Sequence, residues 1–384
     1  MRGIEERLNA ICDMKSWVHP AHDWGDGGKG AYNGTRLTVD LGCSDIGAQL
    51  ACVLQALDGK LDAKTRQRVV EEVWRRIVKP LWREIPFHSC QGGKPEQFDH
   101  IDNWWISTEN NWNAVCWDNV LCTVLGIVDD ARIRAYFVDA AIKSLPLYIG
   151  GFGADGYCSE GMGYWNYGFG HHLRMGLMLR EVSGGKIDVF TLPKQRLIAQ
   201  YALGYRLAEH VSPAFADGCG APTEENLKMV AEVWPDLDAS LPPETRFGPS
   251  QVWLWRDPQG VSVAFKGGHN GELHNHNDVG SYWVMVADKF VGGDPGSEVY
   301  TRRTFSSERY DSKVISSYGH PVPVVGGALQ RTGSTFAAKV VAAEADRVTL
   351  DLKGAYDVKT LKVLTRTFSY DRKTKKLTIH DHVE

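Results

Sequence analysis

The feature that most constrains this chain is a change of apolar period near residue 240. Before that point apolar side chains recur at three- and four-residue steps, the spacing of an amphipathic helix. DIGAQLACVLQALDG predicts a helix ended by Gly59, and AKTRQRVVEEVWRRIVKPLW predicts a second that Pro80 kinks or ends. NNWNAVCWDNVLCTVLGIV, DDARIRAYFVDAAIKSLPLYIG, GHHLRMGLMLREVSGG and TLPKQRLIAQYALGYRLAEHV continue the series. Gly-rich loops such as GGFGADGYCSEGMG join them without a fixed-period repeat, which points to an incomplete ring of α-hairpins rather than a short-repeat solenoid.

Beyond about Pro242 apolar and polar residues alternate, β-branched residues increase, and Gly, Asp and Pro punctuate the segments. QVWLWRD, GVSVAFKGG, SYWVMVAD, AAKVVAAEADRVTLDLKG and KVLTRTFSYDRKTKKLTIHDHVE read as strands of an antiparallel sandwich. The expected organisation is an α+β multidomain chain, with a helical domain over residues 1–240 and an antiparallel β-sandwich over 241–384. The last strand stops at Glu384, where a closed sandwich is expected to continue, so a truncated sandwich is expected.

The net charge of −4 over 384 residues gives no basic field, and neither nucleic acid nor a membrane is an expected partner. An acidic substrate would have to be met by local cations. The N-terminal MRGIEERLNAICDMKSWVHP is charged and unlike a secretory leader. Eight cysteines, at 12, 43, 52, 90, 116, 122, 158 and 219, form no CxxC pair and are expected to be mostly free and buried. The 13 tryptophans cluster beside Asn, His and Gly, where aromatic faces can either stack on sugar rings or fill a core.

Three segments carry candidate chemistry. In HNHNDVGSYWVMVADKFVGGDPG, a strand would put His274 and His276 on one face, and Asp294 would return to them across a hairpin. With His320 of SSYGHPVPVVGG, these are plausible Zn²⁺ ligands or, equally, a hydrogen-bonded cluster bracing a loop. In TENNWNAVCW, Asn110 and Asn113 share a helical face with Asn111 at its edge; amides there could bind a carboxylate, and Thr108, Asn110 or Asn111 could instead cap a helix. In SEGMGYWNYGFGHH, Glu160, Tyr164 and Tyr167 fall at helical steps, although the glycines make a regular helix doubtful before about Phe169. A tyrosine so placed can act as a general acid, or as a base, or can simply be core.

Taken in order, TENNWNAVC, EGMGYWNYGFG, HNHNDVGSYW, DPGSEVYT, TFSSERY and HPVPVVGG resemble the motif series of heparinase II/III-like polysaccharide lyases, from about Trp17 to about Gly327. The resemblance implies an (α/α) toroid followed by a β-sandwich. It implies an acidic polysaccharide or oligosaccharide substrate, and a periplasmic or secreted bacterial enzyme cleaving a uronate glycan by β-elimination. It matches Asn111 to the Asn that neutralises the uronate carboxylate, with Asn110 and Asn113 nearby. It matches Tyr167 to the catalytic Tyr, with Tyr164 second, and His274 to the catalytic His. His276, Asp294 and His320 match the ligands of a structural zinc in some members, which assigns the two histidines of the HxH pair to different work. Glu160, Trp112, Trp165, Arg302 and Arg303 are the expected substrate-binding residues. Some members carry a His in the Asn block, whereas Trp112 follows Asn111 here.

In the implied reaction the C5 proton is acidified by carboxylate neutralisation and removed by His274 or Tyr167. Tyr167 then protonates the leaving oxygen, and the product is unsaturated at C4–C5. Two alternatives stay open. A glycoside hydrolase would need a carboxylate pair, for which Glu160, Asp118 and Asp155 are available. A non-catalytic glycan-binding protein would bind its oligosaccharide without consuming it.

Overall fold

The computed structural model describes residues 1–85, 103–287 and 289–384; Cys90 lies outside them. The described residues form two compact units. One comprises Met1–Gly151 and Tyr167–Phe190, the other Phe152–Asn166 and Thr191–Glu384. Strands begin at Glu244, close to the change of period in the sequence, whereas the compact units divide earlier, at Gly151, Asn166 and Phe190.

The first unit is helical: α1 (Arg2–Asp13), α2 (Gly30–Asn33), α3 (Leu41–Ala56), α4 (Ala63–Val73), α5 (Lys79–Glu84), α6 (Asn111–Ile127) and α7 (Ala131–Gly150). Short acidic or amide side chains start several of these helices by accepting otherwise unpaired N–H groups. Asp40 accepts from Cys43 at 2.7 Å, Asp62 from Thr65 at 2.9 Å, and Asp130 from Arg132 at 2.8 Å. Pro80 does not end its helix. A wide π-type turn over Trp74–Val78 leads into α5, which absorbs the proline near its first turn, where the missing N–H costs little. α6 is apolar nearly all round and correspondingly buried, with α3 and α7 packed on it.

In the second unit, α8 (Met162–Tyr164) is a single turn, and the π-type turn over Trp165–Phe169 that follows it runs on into the residues of the first unit. Regular helix resumes as α9 (Gly170–Val182), which belongs to the first unit and packs on α6, so the glycines delay the helix as expected. α10 (Pro193–Gly204) and α11 (Glu224–Val233) complete the helices. No described helix is long and apolar enough to cross a membrane.

The strands are β1 (Glu244–Phe247), β2 (Val252–Trp255), β3 (Val261–Lys266), β4 (His269–Asn270), β5 (Tyr282–Val286), β6 (Lys289–Gly293), β7 (Gly333–Ala337), β8 (Lys339–Glu344), β9 (Arg347–Asp351), β10 (Leu364–Asp371) and β11 (Lys376–Val383). They pair antiparallel in the orders β1-β2-β3-β5-β6 and β11-β10-β9-β8, with β4 and β7 as a short separate pair. Side chains alternate along β10, and its buried set joins Trp253, Trp255 and Phe265 from the facing sheet in one apolar core. Phe265 and Phe368 stack across it at 4.0 Å. This is the expected sandwich.

Candidate functional site

Two of the HxH expectations change in the structure. His274 and His276 do not sit on a strand: they lie in the loop between β4 and β5, and His274 has φ +52°. Same-face alternation therefore does not bring them together. Asp217 does, in the loop after α10. Its side chain is fully buried, and it accepts from His276 Nε2 on Oδ1 at 2.8 Å. On Oδ2 it accepts from His274 Nδ1 at 2.9 Å, Arg309 Nη2 at 2.9 Å and the Tyr300 hydroxyl at 3.0 Å. Burial alone would raise the Asp217 pKa, but the two histidine hydrogen bonds and the Arg309 charge outweigh it and hold the carboxyl well below the usual range. Arg309 is fixed in turn by the carbonyls of Asn275 and Thr304.

Tyr164 completes this group. Its ring stacks on His274 with centroids 4.2 Å apart, and its hydroxyl lies 2.6 Å from that of Tyr300. Since Tyr300 donates to Asp217, Tyr164 donates to Tyr300. Burial pushes the Tyr164 phenol up to about 12, so it holds its proton at neutral pH. Glycines put Tyr164 there. Gly161 has φ +96°, and a Cβ on it would come within 2.5 Å of the Gly218 carbonyl oxygen; one on Gly218 would meet the Glu160 oxygen at 2.4 Å. Only backbone fits between the EGMG segment and the loop bearing Asp217, and Gly163 N–H and Gly218 N–H bond across the gap at 2.8 Å each.

His276, Asp294 and His320 form a second, buried cluster, with one nitrogen of each imidazole and a carboxylate oxygen all within 4.8 Å. Asp294 follows the β5–β6 hairpin, accepts from Ser281 at 2.7 Å and bonds His320 Nδ1 at 2.8 Å. Burial opposes charge on both partners, yet their attraction lowers the Asp294 pKa and raises that of His320. His276 Nδ1 and His320 Nε2 are buried without a hydrogen-bond partner. Orphaned ring nitrogens beside a carboxylate suit a divalent metal of the zinc type, and Asp217 on the far nitrogen of His276 is the outer carboxylate such sites use to orient a ligand.

Other expected residues fall as follows. Glu160 is buried and its backbone oxygen takes the Gly218 bond. Trp165 is fully buried and its indole N–H donates to the Ile198 carbonyl, so it is core and offers no face to a sugar. Arg302 and Arg303 are exposed on the short turn between Tyr300 and Phe305, with Arg303 3.6 Å from Glu298. Phe305 stands edge-on to both His274 and Tyr300.

In the helical unit, Asn110 is the cap of α6, accepting from Trp112 N–H at 3.1 Å. Asn111 occupies the first turn of that helix, buried, against Gly168, where a Cβ would lie 2.9 Å from Asn111 Cβ. Asn113 is fully buried and its amide donates to the carbonyls of Trp105 and Ile106 and to Ser144, so it anchors the segment before α6 and is not a substrate ligand. Trp112 packs against Trp104 at 4.9 Å and His22 at 4.7 Å. Tyr167 is partly exposed and meets His171 edge-on at 5.3 Å. His171 and Arg174 both bond Asp118, while Asp155 is occupied by Ser250. Asp118 and Asp155 are thus engaged in structural bonds, which weakens the hydrolase alternative. Asp217, Tyr300 and Arg309 were not singled out from the sequence. Tyr300 and Arg309 sit inside the motif blocks DPGSEVYT and TFSSERY, but FADGCG reads only as a turn.

No family model matches the chain, and no curated protein does. Solved structures do. A heparinase III with methylated lysines aligns at TM-score 0.64 and 15% identity over 99% of this chain and 59% of that one. Another heparinase III gives 0.59 and 14% over 99% and 70%, and a mutant heparan sulfate lyase HepC from Pedobacter heparinus 0.58 and 15% over 99% and 68%. The chain has the fold of a heparinase-like polysaccharide lyase, and it spans about 59% of the first of these structures.

Proposed function

We propose, from the heparinase fold and the His274–Tyr164 pair, that the protein is a polysaccharide lyase that cleaves an acidic, uronate-containing glycan by β-elimination. The observation that carries the reading is the orientation of His274. Its Nδ1 faces Asp217 at 2.9 Å, so the hydrogen resides on Nδ1 and Nε2 keeps its lone pair for the C5 proton. Tyr164, protonated and stacked against the same imidazole, turns its O–H from Tyr300 to the leaving C4 oxygen and gives it the proton. Tyr167, the tyrosine that the motif resemblance names first, is the competing acid, and the paired Phe variants distinguish the two.

Abstraction of a carbon-bound proton requires the adjacent carboxylate to be neutralised. The resemblance gives that work to Asn111, and its place in the first turn of α6 supports it, because helix N-termini favour anions. Arg302 and Arg303 are further candidates for the substrate's charges. His276, Asp294 and His320 would hold a zinc ion whose contribution is structural: it would clamp the loop between β4 and β5 to the hairpin that follows. We place the enzyme in the periplasm or outside the cell, where such polymers are met.

The experiment is a panel of uronate glycans (heparan sulfate, alginate and related polymers) read by ultraviolet absorbance of the conjugated product, with product sizing. Absence of that chromophore on every member would end the lyase reading, and a new reducing end without unsaturation would replace it with hydrolysis.

A further inference from the structure

Cysteine usage departs from the sequence expectation at one place. Cys12, Cys43, Cys116 and Cys158 are buried, and burial pushes all four thiols up. Cys52 is exposed and Cys122 half-buried, and their sulfurs lie 3.8 Å apart. Among the described residues no other pair of cysteine sulfurs is found at such a separation.

The approach is built into the helix packing. Cys52 lies near the end of α3 and Cys122 in the last third of α6, and small residues on both helices bring the two backbones close. A Cβ on Gly47 would come within 2.9 Å of Thr123 Oγ1, and one on Gly126 within 3.0 Å of Ala51 Cβ. Gly126 lies one turn beyond Cys122 on α6, and Ala51 immediately precedes Cys52 on α3. Deeper in the same interface, Asn119 Nδ2 donates to Ser44 Oγ at 3.3 Å, which fixes the register of the helices. The two thiols therefore face each other across a closely packed contact.

We propose that Cys52 and Cys122 form an oxidation site that closes to an intramolecular disulfide under a small disulfide donor of the glutathione class, joining α3 to α6. Cys52, the exposed thiol, reacts first. Its thiolate attacks one sulfur of the donor, the donor's S–S bond breaks, and one glutathione thiolate leaves. The Cys122 thiolate then attacks Cys52 Sγ in the mixed disulfide and expels the second glutathione. Each protein thiol gives its proton to solvent or to a departing thiolate, so two cysteines are oxidised as one donor is reduced to two thiols. Closure needs the sulfurs to move from 3.8 Å to about 2.05 Å, within reach of side-chain rotation and a small helix shift. Burial and the neighbouring thiol raise the Cys122 pKa to about 12, which makes the second step the slower one and quickens it as pH rises. The disulfide fixes the helix whose first turn carries Asn111, and its formation does not depend on the lyase reading.

The test uses the whole folded chain, reduced and then incubated with oxidised glutathione, followed by alkylation and non-reducing peptide mapping. A Cys52–Cys122 peptide, two hydrogens lighter than the separate peptides, is expected, with a thiol count two below the reduced protein. Cys122→Ser should stop at a glutathione adduct on Cys52, and Cys52→Ser should retain all its thiols. The melting temperature of the wild type should rise by several degrees on oxidation, with no rise in Cys52→Ser. Three results would each overturn the site: an unchanged thiol count, a stable glutathione adduct on Cys52 of the wild type, or a first disulfide joining another pair.

Discussion

Replacing Asp217 by Asn removes one charge and nearly nothing of shape, and the geometry dictates where the loss is felt. Oδ2 faces three donors, from His274, Arg309 and Tyr300, so the new NH₂ cannot occupy that position without meeting three hydrogens. It must take the Oδ1 position, opposite His276 Nε2, which then has to accept instead of donate. The His276 hydrogen moves to Nδ1, the orphaned nitrogen, and the lone pair that would bind a metal is gone. Arg309, nearly buried, also loses its counter-charge. A hydrogen bond to a charged partner contributes about 1.5–3 kcal/mol and a broken buried ion pair costs about 3–5 kcal/mol. The amide still offers Arg309 a carbonyl, so Asp217→Asn should lose about 2–3 kcal/mol and Asp217→Ala about 4–5 kcal/mol. The folded pKa of Asp217 is depressed, so its stabilisation is complete above the unfolded value of about 4 and fades as pH falls toward the folded value. Denaturant midpoints of wild type and variant should therefore differ at pH 7 and converge below about pH 4. Equal stability at pH 7, or a gap that stays constant into acid, would refute the reasoning; unaltered metal content in the variant would refute the tautomer argument.

Tyr164→Phe should lower kcat by about 10²–10⁴-fold with little change in KM, and Tyr167→Phe by less than tenfold; the reverse order would transfer the acid role to Tyr167. Because His274 and Tyr164 stand side by side, substrates whose C5–H and C4–O lie on the same face of the ring (glucuronate, mannuronate) should react faster than their C5 epimers. Initial rates on polymannuronate against polyguluronate measure this, and a preference for polyguluronate would contradict a shared wall. Purified protein should carry about one zinc per chain by elemental analysis and melt at a lower temperature after chelation, whereas His276→Ala should hold none; metal-free protein whose melting point ignores chelators would remove the zinc.

The fold was largely legible because it rests on periodicity. Strands β10 and β11 lie within segments that alternate in the sequence, β2, β3 and β5 within β-branched and aromatic segments bounded by turn residues, and α6 within one long apolar run. Pro80 does not end its helix, but regular helix is interrupted just before it by a wide turn that the sequence does not announce. The HxH pair misled. Alternation was the only available reason for His274 and His276 to meet, and the structure replaces it with a left-handed backbone at His274 and a carboxylate from a loop 57 residues away. Nothing local in FADGCG marks Asp217 as the acceptor of four side chains, since a buried carboxylate and a turn carboxylate have the same sequence signature. Trp165 and Asn113 show the converse limit: residue types suited to sugars and carboxylates were given to the core, where an indole N–H found a carbonyl and an amide found three acceptors.

Asp217 also changes how the two histidines should be understood. If each acted alone, a metal at His276 would be indifferent to the base at His274. A single carboxylate holds one nitrogen of each ring, on separate oxygens, with Arg309 and Tyr300 sharing the oxygen that faces His274. Anything that pulls Asp217 toward His276 lengthens its bond to His274 and so weakens the preference for hydrogen on Nδ1 that frees Nε2. The proposed zinc cluster and the proposed catalytic pair are therefore one hydrogen-bonded body, and loss of His276 should loosen His274 before it unfolds the sandwich. Amide exchange in His276→Ala tests that order: faster exchange confined to residues 271–280 supports it, whereas exchange rising first in β10 and β11 would show that the cluster serves the sandwich core instead.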